Sequence, residues 1–135
     1  MNERITENIV REHFKNDALF STIILEEQKS FNIKIDKLLQ NASKSGSGKG
    51  KPEFIISFTN SQNLIIVVEC KADSLKHESE NRDKYNDYAV DGVLLYSAFL
   101  SKEYDVLSIA VSGCKKDDLK VSYRSEEHTS ELQSP

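Results

Sequence analysis

The chain has 135 residues, 38% of them hydrophobic and 30% charged, with a formal net charge of −4. That length bounds it to one domain at most. The mildly acidic balance excludes the broad basic field of a general nucleic-acid binder, so any DNA contact has to be local.

In chain order, Ile5, Ile9, Val10 and Phe14 fall on one helical stripe, which predicts an amphipathic helix over residues 3–15. Ser21 to Glu27 is short and β-branched and predicts a strand. Ile33 to Ala42, carrying Ile35, Leu38 and Leu39, predicts a second helix. Ser43-Lys44-Ser45-Gly46-Ser47-Gly48-Lys49-Gly50-Lys51 is a Gly/Ser loop with three lysines. It does not make a P-loop, because Lys51 is followed by Pro52 and a strand. A mobile linker and a local phosphate contact by Lys44, Lys49 and Lys51 both remain open.

Two apolar runs follow, Pro52 to Phe58 and Leu64 to Lys71, separated by the turn-type cluster Thr59-Asn60-Ser61-Gln62-Asn63. They predict a β-hairpin that brings Glu53 beside Glu69. The strand period of two places Lys71 on the same face as Glu69 and Cys70 on the opposite one, as a core residue. Cys70 and Cys114 lie far apart without metal-site spacing, which points to a reducing cytoplasm. Residues 72–86 are highly charged and read as an exposed loop in which His77 is solvated. Tyr88 to Ser101 predicts a helix, Asp105 to Val111 a buried strand closed by Ser112-Gly113, and Leu119 to Tyr123 a further strand. No run approaches the ~18 apolar residues of a membrane span. Asn2, Glu3 and Arg4 break any signal-peptide pattern.

The order helix, strand, helix, hairpin, helix, strand, strand predicts an α/β or α+β fold, a central mixed sheet flanked by helices. Two carboxylates at one point form either a metal site or an acid–base pair, since like charges so close raise one pKa unless a cation holds both. Carboxylate oxygens are the hard ligands that Mg²⁺ prefers. A lysine beside them orients an attacking water or stabilises charge on a scissile phosphate. Acids and lysines also flank strands as solvated ends, so the matched register of Glu53 and the apolar strands around it give the group its weight.

Pro52-Glu53, fifteen intervening residues, then Glu69-Cys70-Lys71 resembles the PD-(D/E)xK nuclease motif. The predicted element order resembles that family's restriction-endonuclease-like core. Glu26-Glu27-Gln28-Lys29-Ser30, Lys37-Leu38-Leu39, Ala42-Ser43-Lys44 and Lys51 to Ile56 resemble the N-terminal domain of restriction-modification proteins. So does Tyr88 to Tyr96 through Val111-Ser112-Gly113. In such proteins, type I R-subunit-like or fused to an N-6 DNA methylase, a nuclease-like domain precedes a methylase or a translocase.

The resemblance implies a Mg²⁺-dependent endodeoxyribonuclease acting on double-stranded DNA in the cytoplasm, with no membrane and a methylase or helicase domain downstream. It implies Glu53 and Glu69 as metal ligands, Lys71 as the catalytic lysine, and a further acid from the first helix. For that acid Glu7 is best placed, with Glu3 and Glu12 competing. Glu53 replaces the family's usual Asp. Tyr96 is preceded four residues earlier by Gly92 where related enzymes carry Gln. These two departures favour an alternative, a catalytically degenerate DNA-binding or docking module of a DNA adenine methyltransferase.

Residues 124–135 closely resemble the translation of a sequencing-adapter oligonucleotide. They are expected to be a non-native, disordered tail on a nuclease-like domain of residues 1–123, truncated at its C-terminus. A natural polar tail is the alternative. The tail holds one Arg and three Glu, so without it the formal charge is −2.

Overall fold

The computed structural model describes residues 3–18, 20–115 and 117–127. Its elements are helix α1 (Glu3–Lys15), strand β1 (Ile23–Glu26), helix α2 (Ile33–Leu38), strands β2 (Phe54–Phe58) and β3 (Ser61–Lys71), helix α3 (Ala89–Leu100), and strands β4 (Asp105–Ser112) and β5 (Lys120–Glu126). Single 3₁₀ turns occupy Phe20–Thr22 and Ser74–Lys76. This is the element order expected from the sequence. It builds an α+β fold consistent with a restriction-endonuclease-like core.

The five strands form one mixed sheet in the order β1-β2-β3-β4-β5. Strands β1, β2 and β3 pair antiparallel, β3 and β4 pair parallel, and β4 and β5 pair antiparallel. A parallel step cannot be closed by a tight turn, and α3 supplies the crossover. The hairpin aligns Phe54 with Val68 and Ile56 with Ile66, with a register shift between Ser57 and Phe58 near the turn. Within β3 the side-chain alternation divides the core. Ile65 and Val67 pack with Ile35, Leu39, Val93, Tyr96 and Leu100 on the α2 and α3 side. Val68 and Cys70 pack with Val10, Phe54, Ile56 and Val111 on the α1 side. With helices on both faces, these strands stay apolar almost throughout.

Three differences from the sequence expectation have physical causes. Helix α2 stops at Leu38 instead of running to Ala42, because the i→i−4 ladder gives out after Leu39: the Gln40 N–H returns to the Lys37 carbonyl at 3.3 Å, and the Leu39 carbonyl accepts from the Ala42 and Gly50 N–H groups at 3.1 and 2.7 Å. Its start is set by Asn32, whose side chain accepts from the N–H groups of Lys34 and Ile35 at 2.9 and 3.1 Å. Strand β5 continues past Tyr123 through Arg124, Ser125 and Glu126, because the outer edge of β4 offers those residues partners at Ser108, Leu107 and Val106. The boundary placed at Tyr123 therefore falls inside a strand, and residues 128–135 lie outside the described residues. His77, read as solvated, is half-buried. Its Nδ1 and Nε2 lie 2.6 and 2.7 Å from the hydroxyls of Ser112 and Ser122, tying the charged loop to β4 and β5.

Helix α1 is anchored at one buried point. The Thr6 hydroxyl donates to the Gly113 carbonyl at 2.6 Å, and the Gly113 N–H donates to the Lys71 carbonyl at 2.9 Å. The first turns of α1 are thereby held beside the ends of β3 and β4. Gly113 has φ +105°, and a Cβ there would lie 2.6 Å from Oδ1 of Asp118, so the turn leaving β4 requires glycine. Among the described residues no helix is long and apolar enough to cross a membrane.

Candidate functional site

The hairpin brings Glu53 and Glu69 together as its register requires. Glu53 stands just before β2, and its backbone N–H donates to Oε1 of Glu69 at 2.9 Å. Glu69 is 1% exposed and lies on the α3 side of β3. Burial pushes its carboxyl pKa up, against the pull of Lys44 and of the Glu53 N–H. Cys70 faces the other way, into the α1-side core. Its thiol is pushed up by burial and by the nearby carboxylates, which marks it as an unreactive packing residue.

Helix α1 delivers two further acids. Carboxylate oxygens of Glu3, Glu7 and Glu53 all lie within 4.8 Å of one another. Glu3 and Glu7 are four residues apart, so they share one helical face. Both of these candidates for the helix-borne acid converge on Glu53, and Glu12 stays exposed outside the group. The crowding shows in Glu53, whose pKa is raised to about 8 by burial first and then by the charges of Glu69, Glu7 and Glu3.

The lysines are placed less simply. Lys71 lies at the end of β3, and its Nζ donates to the Asn86 carbonyl at 2.7 Å. Lys44 pairs with Oε2 of Glu69, so it is not a free phosphate contact in this structure. A buried carboxylate needs a compensating charge, and the Gly/Ser loop supplies it. Burial opposes the Lys44 charge, but the Glu69 carboxylate outweighs it and the pKa of the ammonium is raised. Lys49 pairs with Asp36. Lys51 remains exposed on the surface, and its backbone N–H donates to the Tyr96 hydroxyl at 3.3 Å. Tyr96 is 3% exposed and lies 5.7 Å below the Lys44 ammonium. Burial and the Glu69 charge raise the pKa of its phenol.

One organiser of the site escaped the sequence reading. Asp91, in the first turn of α3, is fully buried. Its carboxylate accepts from the Ser79 N–H at 3.1 Å, from the Ser79 hydroxyl, and from the Lys84 N–H at 2.9 Å. It thereby shapes the loop whose Asn86 carbonyl holds Lys71. An acid near a helix N-terminus is too common to signal this role. Glu3 did carry a signal, its i,i+4 spacing from Glu7.

Similarity to known proteins bears on this arrangement. Over 105 aligned residues the chain is 37% identical to the type II restriction enzyme and methyltransferase RM.BcgI of Heyndrickxia coagulans. The chain is related to a restriction-modification protein. The match covers 67% of this chain and 16% of the length of that relative. No family model matches the chain, and no solved structure matches it.

The donor set suits a hard divalent cation. Glu3, Glu7 and Glu53 present only carboxylate oxygens, the ligands Mg²⁺ favours; Glu69 stands outside that group and touches Glu53 through the Glu53 backbone N–H. Burial first, and then the mutual repulsion of such a group, raises the pKa of Glu53 to about 8.

Proposed function

We propose that this chain is the endonuclease domain of a restriction-modification protein and hydrolyses a phosphodiester bond of double-stranded DNA with Mg²⁺. The observation that supports this best is the convergence of Glu3 and Glu7 from α1 on Glu53, beside the buried Glu69. The relative's name, a restriction enzyme and methyltransferase, supports the same setting. In this reading Glu7, Glu53 and Glu69 hold the metal, with Glu3 as a further oxygen donor. The bound ion supplies Lewis-acid polarisation of the scissile phosphate and lowers the pKa of a coordinated water.

The chain's own residues do the remaining work. Four carboxylates repel a phosphate, so the site admits DNA only when their charge is neutralised. Lys71, held by the Asn86 carbonyl at the end of β3, orients the attacking water and stabilises charge as it develops on the phosphate. Lys51, exposed beside the site, contacts the DNA backbone, which positions the duplex without reading its sequence. Lys49 is committed to Asp36 and contributes to phosphate binding only if that surface pair opens.

The test is nicking of supercoiled plasmid by the chain in Mg²⁺ and in EDTA, for the wild type, Glu53→Ala, Glu69→Ala and Lys71→Ala. Nicking that needs Mg²⁺ and is lost in all three variants is expected. Equal nicking in EDTA, or in the variants, overturns the assignment.

A second reading is a non-catalytic DNA-docking module of a methyltransferase. The commitment of both Glu69 oxygens and of the Lys71 ammonium to protein partners favours it. Under that reading Mg²⁺ titration gives no heat and DNA binding is indifferent to EDTA.

A further inference from the structure

We propose that Lys44 is a built-in competitor of the divalent cation: its ammonium holds Oε2 of Glu69 while the metal is away and withdraws when the metal binds. The inference rests on the metal reading above and deepens it by adding an internal cation that sets the affinity of the site.

The first support is the state of Glu69. It is 1% exposed, and both of its oxygens are engaged, Oε1 by the Glu53 N–H and Oε2 by Lys44. The Glu53 N–H belongs to the hairpin and cannot leave without breaking the register. Lys44 is the partner that can yield. An ammonium and a divalent cation at one buried carboxylate repel each other with little solvent screening, so one excludes the other.

The second support is where Lys44 comes from. It stands on the loop between α2 and β2, not on a helix or strand of the core. The loop closes on itself, the Ser43 N–H donating to the Gly48 carbonyl at 3.1 Å and the Gly46 N–H to the Ser43 carbonyl at 3.0 Å. Gly46 and Gly48 adopt φ +90° and +96° with open space around them. Withdrawal of the side chain therefore breaks its contacts with Gly92 and Tyr96 of α3 but no strand pairing.

The third support is the corridor that the side chain crosses. At Gly92 on α3 a Cβ would lie 3.0 Å from Cε of Lys44 and 3.0 Å from the Tyr85 carbonyl. Glycine at that position keeps the passage between α3 and the loop open for the lysine stem.

The experiment uses the 135-residue chain without DNA. Mg²⁺ is titrated into the wild type while Cε–Nζ correlations of the lysines are followed by NMR. Calorimetry at pH 8.5, where protons compete least for the carboxylates, then compares wild type, Lys44→Met and Lys44→Arg. The Lys44 signals should move along the same saturable curve as the metal binding, while those of Lys49 stay in place. Lys44→Met should bind Mg²⁺ about tenfold or more tighter, the low end for loss of a charge-assisted hydrogen bond, and Lys44→Arg should resemble the wild type. Binding to Lys44→Met with none to the wild type also supports the proposal. Saturable binding with unmoved Lys44 signals overturns it, as does Mg²⁺ affinity in Lys44→Met no greater than in the wild type. The wild-type NMR arm decides if Lys44→Met does not fold. Absence of binding to both proteins removes the metal reading itself and this proposal with it.

Discussion

The backbone N–H of Glu53 donates to Oε1 of Glu69 across the hairpin at 2.9 Å. Main chain and side chain thus join the two acids, and the register of β2 with β3 sets the position of Glu69. The Glu53 carboxyl is left to meet the acids of α1.

That meeting predicts a pH dependence. The Glu53 pKa is about 8 in the folded protein against an ordinary 4.5, so between those values the folded state holds a proton that the unfolded chain releases. This group's contribution is full below the unfolded pKa and is lost as pH rises toward 8. In EDTA, melting temperatures measured by calorimetry should fall from pH 5 to pH 8 more steeply for the wild type than for Glu53→Gln. Equal slopes would remove Glu53 as the cause.

Lys71 should separate activity from stability. It is only half-buried and its ammonium donates to the Asn86 carbonyl at the surface, so Lys71→Met should change the urea midpoint little. Plasmid nicking should fall by about 10²-fold or more, the range for a group acting on a proton or charge in the transition state. A large stability loss with unchanged nicking would reverse the assignment.

Thr6 tests how α1 is held. Thr6→Val keeps the shape of the side chain but removes the donor to the Gly113 carbonyl, 107 residues away. Leaving that buried carbonyl unpaired should cost about 1–3 kcal/mol in urea denaturation. Mg²⁺ affinity should weaken as well, because Glu3 and Glu7 ride on the same helix.

Asp91 tests the loop. Asp91→Ala strands the Ser79 and Lys84 N–H groups and should cost about 3 kcal/mol, the scale of a buried charge-assisted network. Amide exchange at Ser79 and Lys84 should accelerate more than exchange in β3. Uniform acceleration would mean global destabilisation instead of a loosened loop.

The amino-acid sequence by itself determined the elements and the hairpin. The apolar runs 52–58 and 64–71, the turn cluster between them and the amphipathic stripe of residues 3–15 are local signals, and with the strand period of two they placed Glu53 opposite Glu69 and turned Cys70 into the core; β3 itself starts earlier, at Ser61. Only the tertiary structure decided what surrounds that pair. Whether Glu3, Glu7 or Glu12 reaches Glu53 depends on how Thr6 docks α1 against Gly113. That Lys44 neutralises Glu69 depends on the Gly/Ser loop folding back over a buried carboxylate 25 residues away in the chain. His77 and Asp91 carry no local signal of their roles: Ser112 and Ser122 meet His77 only once the sheet has formed, and Ser79 meets Asp91 only when the charged loop folds over the start of α3. Short-range periodicity registers which face a residue occupies. Desolvation and charge compensation act between residues distant in sequence, and they settle only when the chain has closed around them.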